Sequence, residues 1–222
     1  MFVAEDGGMI QRAQRPHPHL HTTARAGLTR AVVAALAIAA LAACSSSGAS
    51  DGAAAAPAAV QAGSSAQAIL DRLGMAGKDP AQAISALDQK TGERQRDILA
   101  SVRYDTLVLK EGTNETSVAI PGGKFYLSVA PYVQQTHDCY FHSLTTCKGE
   151  LAGKTINVTI TDSAGQKLAD GPVTTYADGF VGFWLPRDIK GTITVSYDGR
   201  TATTPIATGK DDPTCLTTLK LV

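Results

Sequence analysis

Over residues 105–222, apolar side chains recur at every second position in short runs separated by turn residues. Period two is the repeat of a strand with one buried face. A chain that keeps this repeat through its whole C-terminal half buries its core between sheets. Phe125, Leu127 and Val129 alternate after the Pro121-Gly122-Gly123 turn, and Ile156, Val158 and Ile160 alternate before Ser163-Ala164-Gly165. Ile193 and Val195 lead to Asp198-Gly199, after which residues 200–206 return. Asp-Gly between two alternating runs predicts a two-residue hairpin. The spacing of turns predicts an antiparallel β-sandwich-like domain over residues 104–222.

Upstream the period changes. Residues 66–103 read as helical, which makes the fold class α+β: a short N-terminal helical region followed by the β domain. Ala68, Ile69, Leu70 and Leu73 lie on one side of a helix that stops near Gly74 or Gly77. Asp79-Pro80 restarts the chain as N-cap and first helical residue, with Ala83, Ile84 and Leu87 at helical spacing. Thr91-Gly92 opens a third expected helix, with Ile98, Leu99 and Val102 on its apolar face. The segment is too short for a core of its own. It either packs as a hairpin against its own sheet or pairs two chains.

Residues 1–43 read as a signal segment. Arg12, Arg15, Arg25 and Arg30 precede a run of 13 apolar residues at 31–43. That length suits a signal peptide and is short for a membrane span. The run ends in Leu41-Ala42-Ala43-Cys44, followed by three serines, which resembles a bacterial lipobox. Cys44 would then begin the mature chain and carry lipid, holding the protein to the cell membrane on its extracytoplasmic side. Residues 44–65, rich in Ala, Ser and Gly, read as a flexible tether. Removing the leader leaves 16 basic and 18 acidic residues. No basic stripe remains that would argue for nucleic acid. Of five histidines, His17, His19 and His21 leave with the leader, and His137 and His142 stay.

The chemistry rests on cysteine. Apart from Cys44 the chain has Cys139, Cys147 and Cys215, an odd number for a compartment in which cysteines pair. Cys139 and Cys147 flank His142 in one loop, and Cys215 sits at the start of a last strand. Three readings stay open on these residues alone. One is a soft-metal site, with copper(I) content with two or three sulfurs and zinc asking for His142 as a fourth ligand. Another is a Cys139–Cys147 disulfide with a spare Cys215. The third is redox exchange. No nucleophile elbow, paired carboxylates or phosphate-binding loop appears in the sequence.

Three motifs narrow the choice. The stretch His137-Asp138-Cys139-Tyr140-Phe141-His142-Ser143-Leu144-Thr145-Thr146-Cys147-Lys148-Gly149-Glu150-Leu151 resembles the CueP family of periplasmic copper-binding proteins. So do Gly179-Phe180-Val181-Gly182-Phe183-Trp184-Leu185-Pro186-Arg187-Asp188-Ile189 and Pro213-Thr214-Cys215-Leu216-Thr217-Thr218. The resemblance covers about residues 66–222. It implies a copper-resistance or copper-supply protein whose helical region at 66–103 forms a homodimer and whose β-rich domain holds copper(I). The family's metal-site cysteines fall on Cys139, Cys147 and Cys215. It further implies Cu,Zn superoxide dismutase as a metal recipient, a thiol reductant as partner, and a metal-binding protein rather than an enzyme. A copper(II) reductase using the same thiols, with Cys139 and Cys147 ending as a disulfide, is the alternative. The lipobox departs from the better-known members, which look freely periplasmic.

Other residues carry lesser expectations. His142 is the candidate additional ligand, but a loop histidine bonded to backbone is the favoured reading, and His137 reads as a solvated loop residue. Phe180, Phe183 and Trp184 read as sandwich core before they read as a shield for metal. Glu150 either orients a ligand or faces solvent.

Overall fold

A computed structural model describes residues 58–90 and 95–222. The expected signal segment 1–43, Cys44, residues 44–57 of the tether and the Thr91-Gly92 helix start lie outside the described residues. The chain runs α1 (Ala58–Arg72), α2 (Pro80–Asp88), β1 (Ile98–Val102), β2 (Thr106–Glu111), β3 (Asn114–Ala119) and β4 (Lys124–Val129). It continues through β5 (Thr155–Asp162), β6 (Lys167–Thr174), β7 (Val181–Pro186), β8 (Lys190–Tyr197), β9 (Arg200–Ala207) and β10 (Cys215–Leu216).

The second helix starts where its cap chemistry says it should. The Asp79 carboxylate accepts from the Gln82 backbone N–H at 2.9 Å, and the Gln82 side chain accepts from the Asp79 N–H at 3.1 Å. That reciprocal pair satisfies two of the donors a helix start leaves open. The first helix ends before Gly74, which takes φ +80°. It begins at Ala58, inside the stretch that reads as tether, so helix and tether overlap over residues 58–65.

A clear departure lies at residues 98–102, expected as a third helix. They form β1, paired antiparallel with β2 from Ile98↔Glu111 to Val102↔Leu107. Ile98, Ala100 and Val102 are buried, whereas Leu99 is 41% exposed. The burial period is therefore two. Ile, Leu and Val in so short a run satisfy either repeat, and pairing with β2 decides between them.

The described residues form three sheets, ordered β1-β2-β3, β10-β4-β7 and β6-β5-β8-β9. The alternating residues of β5 and β8 point Ile156, Val158, Ile160, Ile193 and Val195 into one core, where they meet Phe125, Leu127 and Val129 of β4. This is the expected sandwich. Burying each such side chain contributes roughly 1.5–3 kcal/mol. The Asp198-Gly199 turn between β8 and β9 has positive φ at both residues, as a mirror-image hairpin turn requires.

The central sheet is covered on both faces. Tyr126, on the opposite side of β4, joins a second core with Leu70 and Leu73 of α1, Ile84 and Leu87 of α2, and the inner residues of β1 and β2. The helices thus lean on their own chain, and the apolar faces that suggested a dimer contact are buried within it. The last strand departs from the antiparallel expectation: β10 runs parallel to β4, with Cys215 opposite Ser128.

Candidate metal centre

The loop after β4 carries Cys139, His142 and Cys147, and several contacts fix its path. One Glu150 carboxylate oxygen accepts the backbone N–H groups of Val133, Gln134 and Gln135 at 2.8, 3.0 and 3.2 Å. Those bonds hold its carboxyl below the usual range, against a smaller opposing effect of burial. Glu150 therefore ties the loop rather than orienting a cysteine. The edge of β1 takes the next segment: Val102 N–H donates to His142 O at 2.9 Å, and Leu144 N–H to Ala100 O at 2.8 Å. Further on, the Gly149 N–H donates to Asp178 O at 2.6 Å. A Cβ on Gly179 would meet the Gly149 carbonyl oxygen at 2.4 Å, so two backbones cross where only glycine fits.

Cys215 arrives from the far end of the chain. Ser128 N–H donates to Thr214 O and Ala130 N–H to Leu216 O, so β10 is stitched along β4. The Cys215 N–H donates to Tyr140 O at 3.1 Å. The Thr214 hydroxyl accepts from the His142 N–H at 3.0 Å and donates to Val102 O at 2.8 Å. β1, the loop and the last strand meet through that one side chain.

These ties bring the three sulfurs together. Cys139 and Cys215 are joined as a disulfide, with Cα atoms 5.7 Å apart. The Cys147 sulfur lies 3.5 Å from that of Cys139 and accepts the Ser143 N–H at 3.4 Å. A Cys139–Cys147 disulfide, one of the readings the sequence leaves open, is not the pairing present. Residue 215 is delivered by a parallel strand that no local spacing announces. Phe180, fully buried, packs with Ala130, Cys147 and Cys215, and Cys139 leans on the same group. Its ring lines the cysteine cluster, whereas Phe183 packs in the sandwich core and Trp184 donates to Ser85 Oγ at 2.9 Å.

His142 is neither solvated nor held through its ring by backbone. It is fully buried. Its Nε2 lies 2.7 Å from Asp88 Oδ1, and its Nδ1 faces Cys215 Sγ at 3.8 Å. Burial, the largest single influence, opposes charge on the ring, but the Asp88 carboxylate and, to a lesser extent, the Cys147 sulfur together outweigh it and lift the pKa to about 9. The imidazole is thus cationic at neutral pH and forms a buried ion pair. Tyr126 and Ser128 donate hydroxyls to the other oxygen of Asp88 at 2.7 and 3.3 Å, so the carboxylate is well satisfied.

Asp88 was missed in the sequence. The signal was there: it falls four residues after Ile84, on the apolar stripe of α2, where an acid has no business unless it is paired. His137 also differs from expectation. It is partly buried, its ring sits edge-on to Phe180 at 6.1 Å, and its Nε2 is buried without a hydrogen-bond partner among the described residues.

Among the described residues three donor sets have ligand atoms within 4.8 Å of one another: His137, Cys139 and Cys147; His142, Cys147 and Cys215; and, without sulfur, Asp88, His142 and Asp178. Soft sulfur with imidazole suits copper or zinc. Among the described residues no helix is long and apolar enough to cross a membrane.

Comparison with known proteins bears on the choice of metal. The sequence model of the family described as periplasmic copper-binding protein CueP matches residues 82–220, a span that includes every donor named above. A solved structure described as the crystal structure of S.CueP is 42% identical, covering 71% of this chain and 98% of that one, with a TM-score of 0.67. No curated protein matches the chain.

Proposed function

The chain belongs to the CueP family of periplasmic copper-binding proteins, and on that premise we propose that Cys139, Cys147 and Cys215 together hold one copper(I) ion. Family membership makes copper its ligand and the outside of the cytoplasm its compartment. The observation that carries the three-sulfur reading is the convergence of Cys215, from the last strand, on the Cys139/Cys147 loop. Three thiolates give copper(I) the soft, low-coordinate shell it favours. The buried His142 cation beside them favours the thiolate form. X-ray absorption at the copper edge of the reduced, loaded protein should count three sulfur neighbours. A shell dominated by nitrogen or oxygen would contradict the reading.

One observation favours a second, redox reading: the bond between Cys139 and Cys215. Two copper(II) ions each accept one electron from this thiolate pair, giving two copper(I) ions and that disulfide. A thiol reductant then restores the pair. Thiols counted before and after anaerobic addition of copper(II) separate the two readings, since simple binding of copper(I) consumes none.

The remaining proposals concern the setting. Cys44 carries lipid and anchors the chain to the membrane. The homodimer and delivery to Cu,Zn superoxide dismutase rest on the family resemblance. A dimer would have to use surface other than the helix faces already buried within the chain.

A further inference from the structure

We infer that Asp88 is a positioning residue for the sulfur chemistry: through the His142 ring it sets how readily the Cys139–Cys215 bond opens, a role that rests on the redox reading proposed above.

Asp88 is fully buried at the end of α2, and its carboxylate faces two ways. One oxygen takes the hydroxyls of Tyr126 and Ser128, so β4 fixes its place. The other lies 2.7 Å from His142 Nε2. The ring spans the remaining distance. It packs on Phe180 with centroids 4.6 Å apart, and its Nδ1 faces the Cys215 sulfur at 3.8 Å. Ser128 is also the residue opposite Cys215 across β4 and β10. One strand residue thus registers both ends of the line from Asp88 through His142 to Cys215. Asp178, close to the same carboxylate and ring, accepts the Phe180 N–H at 3.1 Å and so steadies the ring's packing partner.

The two bonded sulfurs differ in access. Cys139 is partly exposed, whereas Cys215 is buried. An incoming thiolate therefore attacks at Cys139. Its sulfur bonds to Cys139 Sγ, the Cys139–Cys215 bond breaks, and the electron pair stays on Cys215 Sγ. A second thiolate then displaces the first, which leaves as a disulfide with it, and the Cys139 thiolate takes a proton from solvent. The first step creates an anion at a buried sulfur, where a lone charge is costly. Asp88 keeps a proton on Nε2 and offsets positive charge on the ring, so Nδ1 carries a proton as well and donates it toward the new thiolate. Stabilising the reduced form makes a disulfide more easily reduced. Without the carboxylate the ring is neutral, and the leaving sulfur has a weaker donor beside it.

The experiment equilibrates the full chain anaerobically with reduced and oxidised glutathione, without copper. The Cys139–Cys215 bond is counted by mass spectrometry after alkylation. Asp88→Asn, which keeps the shape and removes the charge, should lower the equilibrium constant for reduction at least tenfold, roughly 30 mV. The double variant Asp88→Asn/His142→Gln leaves no lone buried charge, and it should shift no further than His142→Gln alone. Ser128→Ala removes a hydroxyl and spares the pair, so it should cost stability and leave the equilibrium within threefold of wild type. Wild-type equilibrium in Asp88→Asn or in the double variant overturns the assignment. So does a tenfold shift in Ser128→Ala, which would make the effect one of packing. Failure of the redox reading shows separately, as wild-type thiols that survive copper(II).

Discussion

Asp88 and His142 meet with no water-exposed surface on either side chain. A buried pair of this kind adds little beyond an apolar pair, but breaking it is expensive, about 3–5 kcal/mol, because one charge is left alone. Asp88→Ala should therefore lower unfolding stability by several kcal/mol, read in urea. The pH dependence follows from the raised His142 pKa. Its folded value of about 9 lies above the ordinary 6.5. The pair's contribution is thus fully present below the ordinary value and is lost as pH rises through the folded one. Wild type should lead the double variant Asp88→Asn/His142→Gln at about pH 6, and that lead should shrink by about pH 10. A lead that grows with pH would contradict the assignment of the charge. At this scale the sequence was half legible. An odd set of cysteines inside recognisable motifs marked the sulfurs without a structure. Asp88 and Thr214 acquire their roles only when helix, loop and last strand meet, and local spacing carries no record of that meeting.

Elements position the site through their edges. β1 offers its free edge to residues 142–144, and Gly149 and Gly179 let the loop cross the segment before β7. Gly179 has φ +85°, a conformation that side chains other than glycine resist. Gly179→Ala should cost about 2 kcal/mol or more, read in the same urea titration. Since Phe180 follows directly, that variant should also loosen copper binding. Gly182 acts differently: a Cβ there would overlap the Tyr126 hydroxyl that donates to Asp88. β4, β5, β8 and β9, with the Gly-containing turns beside them, were readable from their alternation, whereas β3 was not. Nor were the five residues of β1, because a run that short satisfies both repeats until a partner strand selects one.

On the scale of the whole molecule, the central sheet divides the protein into a sandwich core and a second core shared with the helices. The sulfur cluster lies with Ala130 and Phe180 beside that sheet, where β1 and the start of β10 meet. Residues 66–103 are thus part of the scaffold: they supply Asp88 and the β1 edge. The sandwich was foreseeable from period two, whereas the parallel docking of a two-residue β10 was not, since so short a strand has no repeat to read. Two proposals belong to this scale. Mass spectrometry of protein purified from membranes should find an acylated N-terminus at Cys44, and an unmodified terminus elsewhere would contradict the anchor. Sedimentation at tens of micromolar, roughly the range of weak association, should find a dimer. A monomer there would remove the homodimer.

The central claim is that the fold brings a distant third sulfur to the Cys139/Cys147 loop to complete a copper(I) site. Anaerobic titration of the reduced protein with copper(I), against a competing chelator, tests it most directly when wild type and Cys215→Ser are compared. A hydroxyl is a hard, poorly ionised donor in place of a thiolate. Wild type should bind one copper per chain, with affinity falling as pH falls because thiols must lose protons. Cys215→Ser should bind at least a hundredfold more weakly, a cost of about 2.7 kcal/mol. Binding by Cys215→Ser as tight as wild type would contradict the account and leave the loop cysteines acting alone.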